Sequence, residues 1–177
     1  LSEVTDPQNG VTTFVYDAEN RLTTRTLPNG VVTAYTYDDR DRPRSVVHTN
    51  AGGTVLASRT YVRAPGGEPT KITKEDGSWV EVGYDAALRI VSERYFDADG
   101  ELEEEISYGY DADGNRVSKT RNGTPDIYSY LTGARITAAG TSSYGNDSAG
   151  RVTSMNRADG TFTLAYDSDD RVTSVVK

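Results

Sequence analysis

The chain has 177 residues, enough for one ordinary domain or a short array of repeats. It carries 27 acidic and 19 basic residues, and the net charge of −8 argues against nucleic-acid binding. No apolar run is long enough for a bilayer-spanning segment, which needs roughly 20 residues. The absence of cysteine and the single histidine, His48, exclude thiol catalysis, disulfides and multi-histidine metal sites.

The dipeptide Tyr-Asp followed by Arg recurs along the chain. The composition, with 17 glycines, 12 tyrosines and abundant Thr and Val, predicts β-structure with many turns. The clear copies are Tyr16-Asp17 with Arg21, Tyr37-Asp38 with Arg42, Tyr84-Asp85 with Arg89, Tyr110-Asp111 with Arg116, and Tyr166-Asp167 with Arg171. A recurring unit of this kind predicts a repeat architecture.

Weaker copies fill most of the intervals. They are Tyr130-Leu131 with Arg135, Asn146-Asp147 with Arg151, and Phe96-Asp97 with Glu101 in the place of Arg. The long interval between Tyr37 and Tyr84 must contain at least one eroded copy, for which Tyr61 is the candidate. Residues 44–75 are therefore interpreted as a degenerate repeat or an insertion.

Turn dipeptides alternate with the Tyr-Asp copies. They are Asn9-Gly10, Asn29-Gly30, Asp76-Gly77, Asn122-Gly123 and Asp159-Gly160. Such pairs favour hairpins because both central residues can adopt positive φ. Between turns, apolar and polar residues alternate, with Val80, Val82 and Tyr84 on one side and Glu81 on the other. The pattern predicts hairpins with one apolar, aromatic face and one hydrated face.

The repeated residues have a structural interpretation. The Asp carboxylate can accept backbone N–H groups two residues ahead, and the Asn or Gly before Arg tolerates a left-handed conformation. The Arg guanidinium can pair with that Asp or lie over a Tyr ring of a neighbouring unit. We therefore assign the Tyr, Asp and Arg residues of the copies above as structural.

Three segments resemble the YD repeats of rearrangement-hotspot (Rhs) proteins, insecticidal toxin-complex shells and teneurins: residues 16–22, 108–116 and 147–152. The resemblance implies an all-β fold of tandem β-hairpins that form a continuous, twisted antiparallel sheet, a partial spiral of a YD-repeat shell. In that family the shell often surrounds a toxic C-terminal segment. Residues 1–177 are expected to form a single array of about eight hairpins.

The acidic segments and His48 are better explained by structural roles than by metal binding or catalysis. The carboxylates around Asp97-Asp99 and Asp111-Asp113 lack the spacing of an EF-hand loop and are better explained by turns. The acidic run at 101–105 is typical of a solvated strand face, and His48 of a surface or loop position. No catalytic, cofactor-binding or metal-binding residue is assigned, and the chain is expected not to be an enzyme.

The sequence favours a non-catalytic structural segment of a secreted or cell-surface YD-repeat shell that scaffolds or encapsulates a toxin or other cargo. The alternative is an adhesion module that binds glycans or a cell-surface partner through rows of tyrosines or through Trp79. The expected partners are neighbouring repeats of the parent chain, or further copies that associate through edge strands. Neither nucleic-acid binding nor membrane insertion by this segment is expected.

Overall fold

The computed structural model describes residues 2–177, which form strands and turns only. The strands are β1 (Glu3–Thr5), β2 (Val11–Tyr16), β3 (Leu22–Thr26), β4 (Val32–Tyr37), β5 (Pro43–Thr49), β6 (Val55–Arg63), β7 (Pro69–Lys74), β8 (Trp79–Tyr84), β9 (Ile90–Phe96), β10 (Leu102–Tyr110), β11 (Arg116–Arg121), β12 (Thr124–Leu131), β13 (Arg135–Ala139), β14 (Ser142–Asn146), β15 (Val152–Arg157), β16 (Gly160–Tyr166) and β17 (Val172–Val176). The all-β hairpin prediction is confirmed. Among the described residues there is no helix long and apolar enough to cross a membrane.

The strands belong to one antiparallel sheet. In the first registered hairpins, β2 pairs with β3 and β3 with β4, and each later registered pair likewise joins strands that follow one another in the sequence. The chain divides into two compact units, Leu1–Glu104 and Glu105–Lys177, with the boundary inside β10.

Successive turns lie at alternate ends of the strands, as antiparallel hairpins require. In the first unit, the turns after Tyr16, Tyr37, Arg63 and Tyr84 share one end, which we call the Tyr-Asp end. In the second unit, the corresponding turns follow Tyr110, Leu131, Asn146 and Tyr166. The weaker copy at Phe96-Asp97 keeps the predicted turn, but this turn connects β9 to β10 and therefore lies at the opposite end of the strands.

The turns at the opposite end also differ from the predicted type. Both central residues have positive φ only at Asn122 and Gly123 among the predicted turn dipeptides, with values of 46° and 82°. At Asn29-Gly30 and Asp76-Gly77 the glycine alone is left-handed. These turns are three-residue loops in which a type I turn is followed by one left-handed residue. A three-residue loop needs only one left-handed residue, so an Asn-Gly or Asp-Gly pair is compatible with loops of two or three residues.

Each return strand after a Tyr-Asp turn contains a β-bulge, an extra residue that shifts the pairing register. Tyr16 lies opposite Leu22 but Val15 opposite Thr24, so Thr23 is an extra, bulged residue. The Thr23 hydroxyl donates to the carbonyl of Val15 at 3.2 Å. Thr70 and Thr153 make the equivalent bond at the corresponding bulges, both at 3.3 Å.

Little of the chain is buried. Only Thr33 and Ile106 fall in the buried class among the described residues. Tyr16 is 44% exposed and its neighbour Val15, on the opposite face, is 53% exposed. The predicted division into one dry aromatic face and one hydrated face was wrong, since Trp79 and Phe96 stack on the face opposite Tyr84. A thin core of this kind leaves much of the stability to contacts between adjacent hairpins.

Candidate functional site: the repeated Tyr-Asp turn

The Asp carboxylate closes the turn that follows each clear Tyr. In the first copy, Oδ1 of Asp17 accepts the backbone N–H groups of Glu19 at 3.1 Å and Arg21 at 2.8 Å. Oδ2 of Asp17 accepts the Nε–H of Arg21 at 2.7 Å. One carboxylate therefore holds both the loop and the side chain that follows it. The same contacts occur at Asp38–Arg42, Asp85–Arg89 and Asp147–Arg151, with Nε to Oδ2 distances of 2.8, 2.7 and 2.7 Å.

The residue before Arg is left-handed in these turns. Its φ is 62° at Asn20, 60° at Asp41, 60° at Leu88 and 90° at Gly150. Glycine, asparagine and aspartate adopt this conformation at low cost, whereas a leucine does not. Leu88 is therefore a strained position that the surrounding turn imposes.

At Asp111 the expected pair with Arg116 does not form. Asn115 occupies the position that Arg holds elsewhere, and its Nδ2–H donates to Oδ2 of Asp111 at 2.9 Å. Arg116 follows one residue later, opposite Tyr110, and its guanidinium lies 4.5 Å from the centre of the Tyr128 ring. Because this copy has one extra residue between Tyr and Arg, the Asp111 carboxylate bonds to the Asn115 amide instead of an Arg guanidinium.

At Asp167 the expected side-chain pair with Arg171 is also not formed. The Arg171 backbone N–H donates to Oδ1 of Asp167 at 2.9 Å, so the loop keeps its shape. The guanidinium instead lies 3.5 Å from Asp169, and the Arg171 side chain is 76% exposed. This copy keeps the turn without the ion pair.

At four turns, the tyrosine hydroxyl connects the turn to the preceding hairpin. The Tyr37 hydroxyl donates to the carbonyl of Leu22 at 2.7 Å, and Leu22 directly follows Arg21. Equivalent bonds run from Tyr84 to Pro69, from Tyr130 to Arg116 and from Tyr166 to Val152, at 3.0, 3.0 and 2.7 Å. The repeated Tyr is therefore a hydrogen-bonding link between hairpins as well as a packing residue.

Two residues replace Tyr and keep this link. Nδ2 of Asn146 donates to the carbonyl of Ile136 at 2.8 Å, and Nη2 of Arg63 donates to that of Pro43 at 3.3 Å. Arg63 precedes a turn closed by a bond from the Ala64 N–H to the Glu68 carbonyl. The copy between Tyr37 and Tyr84 thus has Arg63, not Tyr61, at the Tyr position.

The repeated Arg also extends to the next hairpin. The guanidinium of Arg21 lies 5.0 Å from the centre of the Tyr37 ring, and its Nη1–H donates to Asp41. Arg151 repeats the arrangement in the second unit, with Tyr166 at 5.0 Å and Asp170 at 2.7 Å. Each of these arginines thus contacts its own Asp, the next Tyr ring and the left-handed Asp of the next turn.

Hydrogen bonding keeps the turn carboxylates ionised. Burial acts to raise the pKa of Asp17 and Asp38, but bonds from the following Arg outweigh it and the net pKa is lowered. At Asp85 the Arg89 backbone N–H lowers the pKa most, at Asp147 the Arg151 side chain, and at Asp111 the Asn115 side chain. The turns are therefore stabilised by the charged form of Asp.

The other candidate residues lie apart from this turn. Nδ1 of His48, in strand β5 rather than a loop, lies 3.0 Å from the Thr33 hydroxyl. The Trp79 ring stacks on Phe96 with centroids 5.0 Å apart, and Nζ of Lys71 lies 3.8 Å from the centre of the Trp79 ring. Both residues thus have structural neighbours within the sheet.

The acidic turns bind their own backbone. Oδ1 of Asp97 accepts the N–H groups of Asp99 and Glu101 at 3.0 and 2.9 Å. Within residues 2–177, no cluster of three or more His, Asp or Glu side chains could hold a metal ion. The Asp97 carboxylate thus has the turn-forming role described above for Asp17.

Comparison with known proteins finds a repeat family that matches the first part of the chain. The RHS repeat family matches residues 1–32 and 16–55. The matched residues span 1–55, about a third of the chain. The Asp-closed turn found within them recurs in the same geometry at Asp85 and Asp147. No curated protein sequence matches the chain.

Solved structures share the fold along most of the chain. The crystal structure of TcdB2-TccC3-Cdc42 is 16% identical, with a TM-score of 0.79 over 92% of this chain and 10% of that chain. TcdB2-TccC3 without its hypervariable C-terminal region gives 16% identity and a TM-score of 0.79 over 93% and 10%. The Photorhabdus luminescens Tc holotoxin pore gives 18% identity and a TM-score of 0.69 over 94% and 9%. The chain thus spans about a tenth of each of these chains.

Proposed function

We propose that this chain is a non-catalytic structural segment of a shell built from YD repeats. The observation that supports this most is how the motif residues are used. Tyr37 bonds to the preceding hairpin, Asp38 closes its own turn, and Arg21 contacts the following hairpin. Residues engaged in this way hold the array together and are not free for catalysis.

The proposal includes a cargo inside the shell. One of the similar solved structures is the Photorhabdus luminescens Tc holotoxin pore, which contains TccC3, and TccC3 is also part of the similar structure with TcdB2 and Cdc42. By analogy, the parent protein of this chain would be secreted or displayed at the cell surface, and its repeats would enclose or scaffold a toxin or other cargo. Its principal partners would be the neighbouring repeats of the same chain.

Expression of the full-length parent product, followed by electron microscopy and limited proteolysis, tests the shell. The proposal predicts a hollow β-sheet particle with an internal segment that resists protease until the shell is denatured. A compact or extended particle without a protected segment would contradict the shell. Retained activity on a substrate by the isolated repeats would contradict the non-catalytic role.

A further inference from the structure

A cleft of about 430 Å³ opens in the first unit at the Tyr-Asp end of strands β4 to β6. Tyr37, Tyr61, Asp39, Arg44 and Arg63 contribute to its lining. The cleft lies between the intact turn that starts at Asp38 and the eroded turn that follows Arg63. In that second turn Ala64 stands where the intact copies have Asp, and Glu68 stands where they have Arg.

Two guanidinium groups in the cleft have no carboxylate partner among residues 2–177. Arg44 is the bulged residue of β5, since Tyr37 lies opposite Pro43 and Thr36 opposite Ser45. Arg44 is exposed and makes no ion pair or hydrogen bond with the described residues. Arg63 donates only to the carbonyls of Gly67 and Pro43, and its buried Nε–H has no partner in the described part of the chain.

The cleft also offers groups that suit hydroxyls. The Asp39 carboxylate is exposed and accepts no hydrogen bond from the described residues. The Tyr61 hydroxyl is equally free within residues 2–177, and its ring is held in place by the Arg63 guanidinium at 5.1 Å. The free carboxylate of Asp39 disfavours a simple anion, because like charges repel. It favours a ligand that carries both an anionic group and hydroxyl donors.

We propose that this cleft binds an acidic saccharide, with one uronic acid residue at its centre. The sugar carboxylate pairs with the Arg44 guanidinium, in the geometry that guanidinium and carboxylate favour, and gains from the charge of Arg63. Sugar hydroxyls donate to Asp39 and exchange hydrogen bonds with the Tyr61 hydroxyl. This recognition goes beyond the structural role proposed above and does not depend on it.

Isothermal titration of the full chain with a glucuronic acid oligomer tests this proposal. The comparison ligands are a glucose oligomer of equal length and an oligoglutamate peptide. We expect saturable binding of the acidic sugar, at least about tenfold tighter than either comparison ligand. No saturable binding at millimolar sugar, or equal binding of the glucose oligomer or the peptide, would overturn it.

Variants locate the site. Arg44→Ala is expected to weaken binding of the acidic sugar about tenfold or more, and Arg44→Gln is a second variant in case the first fails to fold. Arg171→Ala, which removes an exposed arginine in the second unit, is the matched control and should bind as the parent chain does. Asp39→Asn should weaken sugar binding while strengthening that of the peptide. Unchanged sugar affinity in a folded Arg44 variant would refute the site.

Discussion

The same residue type in the repeat makes different numbers of contacts in different copies. Arg151 pairs with Asp147 and Asp170 and lies over Tyr166. Among the described residues, the Arg171 side chain pairs only with Asp169, at 3.5 Å. An exposed ion pair contributes little by itself, so a measurable effect requires the combined contacts. These two arginines, in the same unit, therefore form a matched pair.

Arg151→Ala is expected to lower the thermal midpoint by several degrees, and Arg171→Ala to leave it unchanged. The reason is that the first variant removes contacts within one hairpin and to the next, while the second removes one weak surface contact. Thermal unfolding followed by circular dichroism measures both. Equal effects of the two substitutions would show that the inter-hairpin contacts add no stability.

The tyrosine hydroxyl provides a second residue-level comparison. Tyr37→Phe keeps the ring but removes the bond to the Leu22 carbonyl, and should cost about 1 kcal/mol in the free energy of unfolding. Tyr16→Phe is the control, because Tyr16 is 44% exposed and makes no hydroxyl bond within the described residues. Urea titration of both variants is the measurement. A larger loss in the Tyr16 variant would contradict the assigned link.

Residue roles were predictable from sequence where the chemistry is local. The Asp-to-Arg interval indicated the pair at Asp17, Asp38, Asp85 and Asp147, and the structure places those side chains together. The links made by Asn146 and Arg63 were not predictable. A backbone carbonyl accepts from any donor of suitable reach, so the contact persists after the Tyr that signals it is lost.

At the scale of the hairpin, one turn contains a residue that does not suit it. Leu88 has a φ of 60° and its side chain is 61% exposed, so it has strain without much compensating packing. Leu88→Asn should raise the free energy of unfolding by roughly 1 kcal/mol, because Asn tolerates the left-handed region. Chemical denaturation checks this value.

The reciprocal change serves as the control. Asn20 occupies the equivalent position in the first copy with a φ of 62°. Asn20→Leu should therefore destabilise the chain by a similar amount. Changes of the same sign for both substitutions would mean that the left-handed conformation does not govern these turns.

The hairpins themselves were predictable, but their loop types and registers were not. Alternation and turn residues indicated strands in nearly the right places, since both are local signals. An Asn-Gly pair suits a two-residue loop, as at Asn122, or a three-residue loop, as at Asn29. The bulge at Thr23 shifts the register by one residue. The sequence does not predict such a bulge, because it forms with or without a hydrogen bond from the bulged side chain.

At the scale of the whole chain, stability must come from many small contributions. With only Thr33 and Ile106 buried among the described residues, hydrophobic burial is spread thinly over half-exposed side chains. The stability of several hairpins therefore depends on ionised turn carboxylates. Hydrogen bonds hold the pKa of these carboxyl groups below the ordinary value of 3.8. This predicts a common response to acid.

Stability should be constant near neutral pH and fall below about pH 4. A carboxyl group with a lowered pKa in the folded chain binds protons less readily than in the unfolded chain. Its stabilisation is complete above the unfolded pKa of 3.8 and is lost as pH falls through the lower folded pKa. Thermal midpoints measured across pH give the profile, and Asp85→Asn should flatten it. A profile that the variant leaves unchanged would exclude Asp85 as a contributor.

The motif residues couple adjacent hairpins, and a double-mutant cycle between Arg151→Ala and Tyr166→Leu measures this coupling. The two side chains lie in successive hairpins with the guanidinium 5.0 Å from the ring centre. We predict that the double variant loses less stability in urea than the sum of the single variants, whereas Arg151→Ala combined with Tyr37→Leu, a residue of the other unit, shows simple additivity. Additive losses for Arg151 and Tyr166 would contradict this coupling.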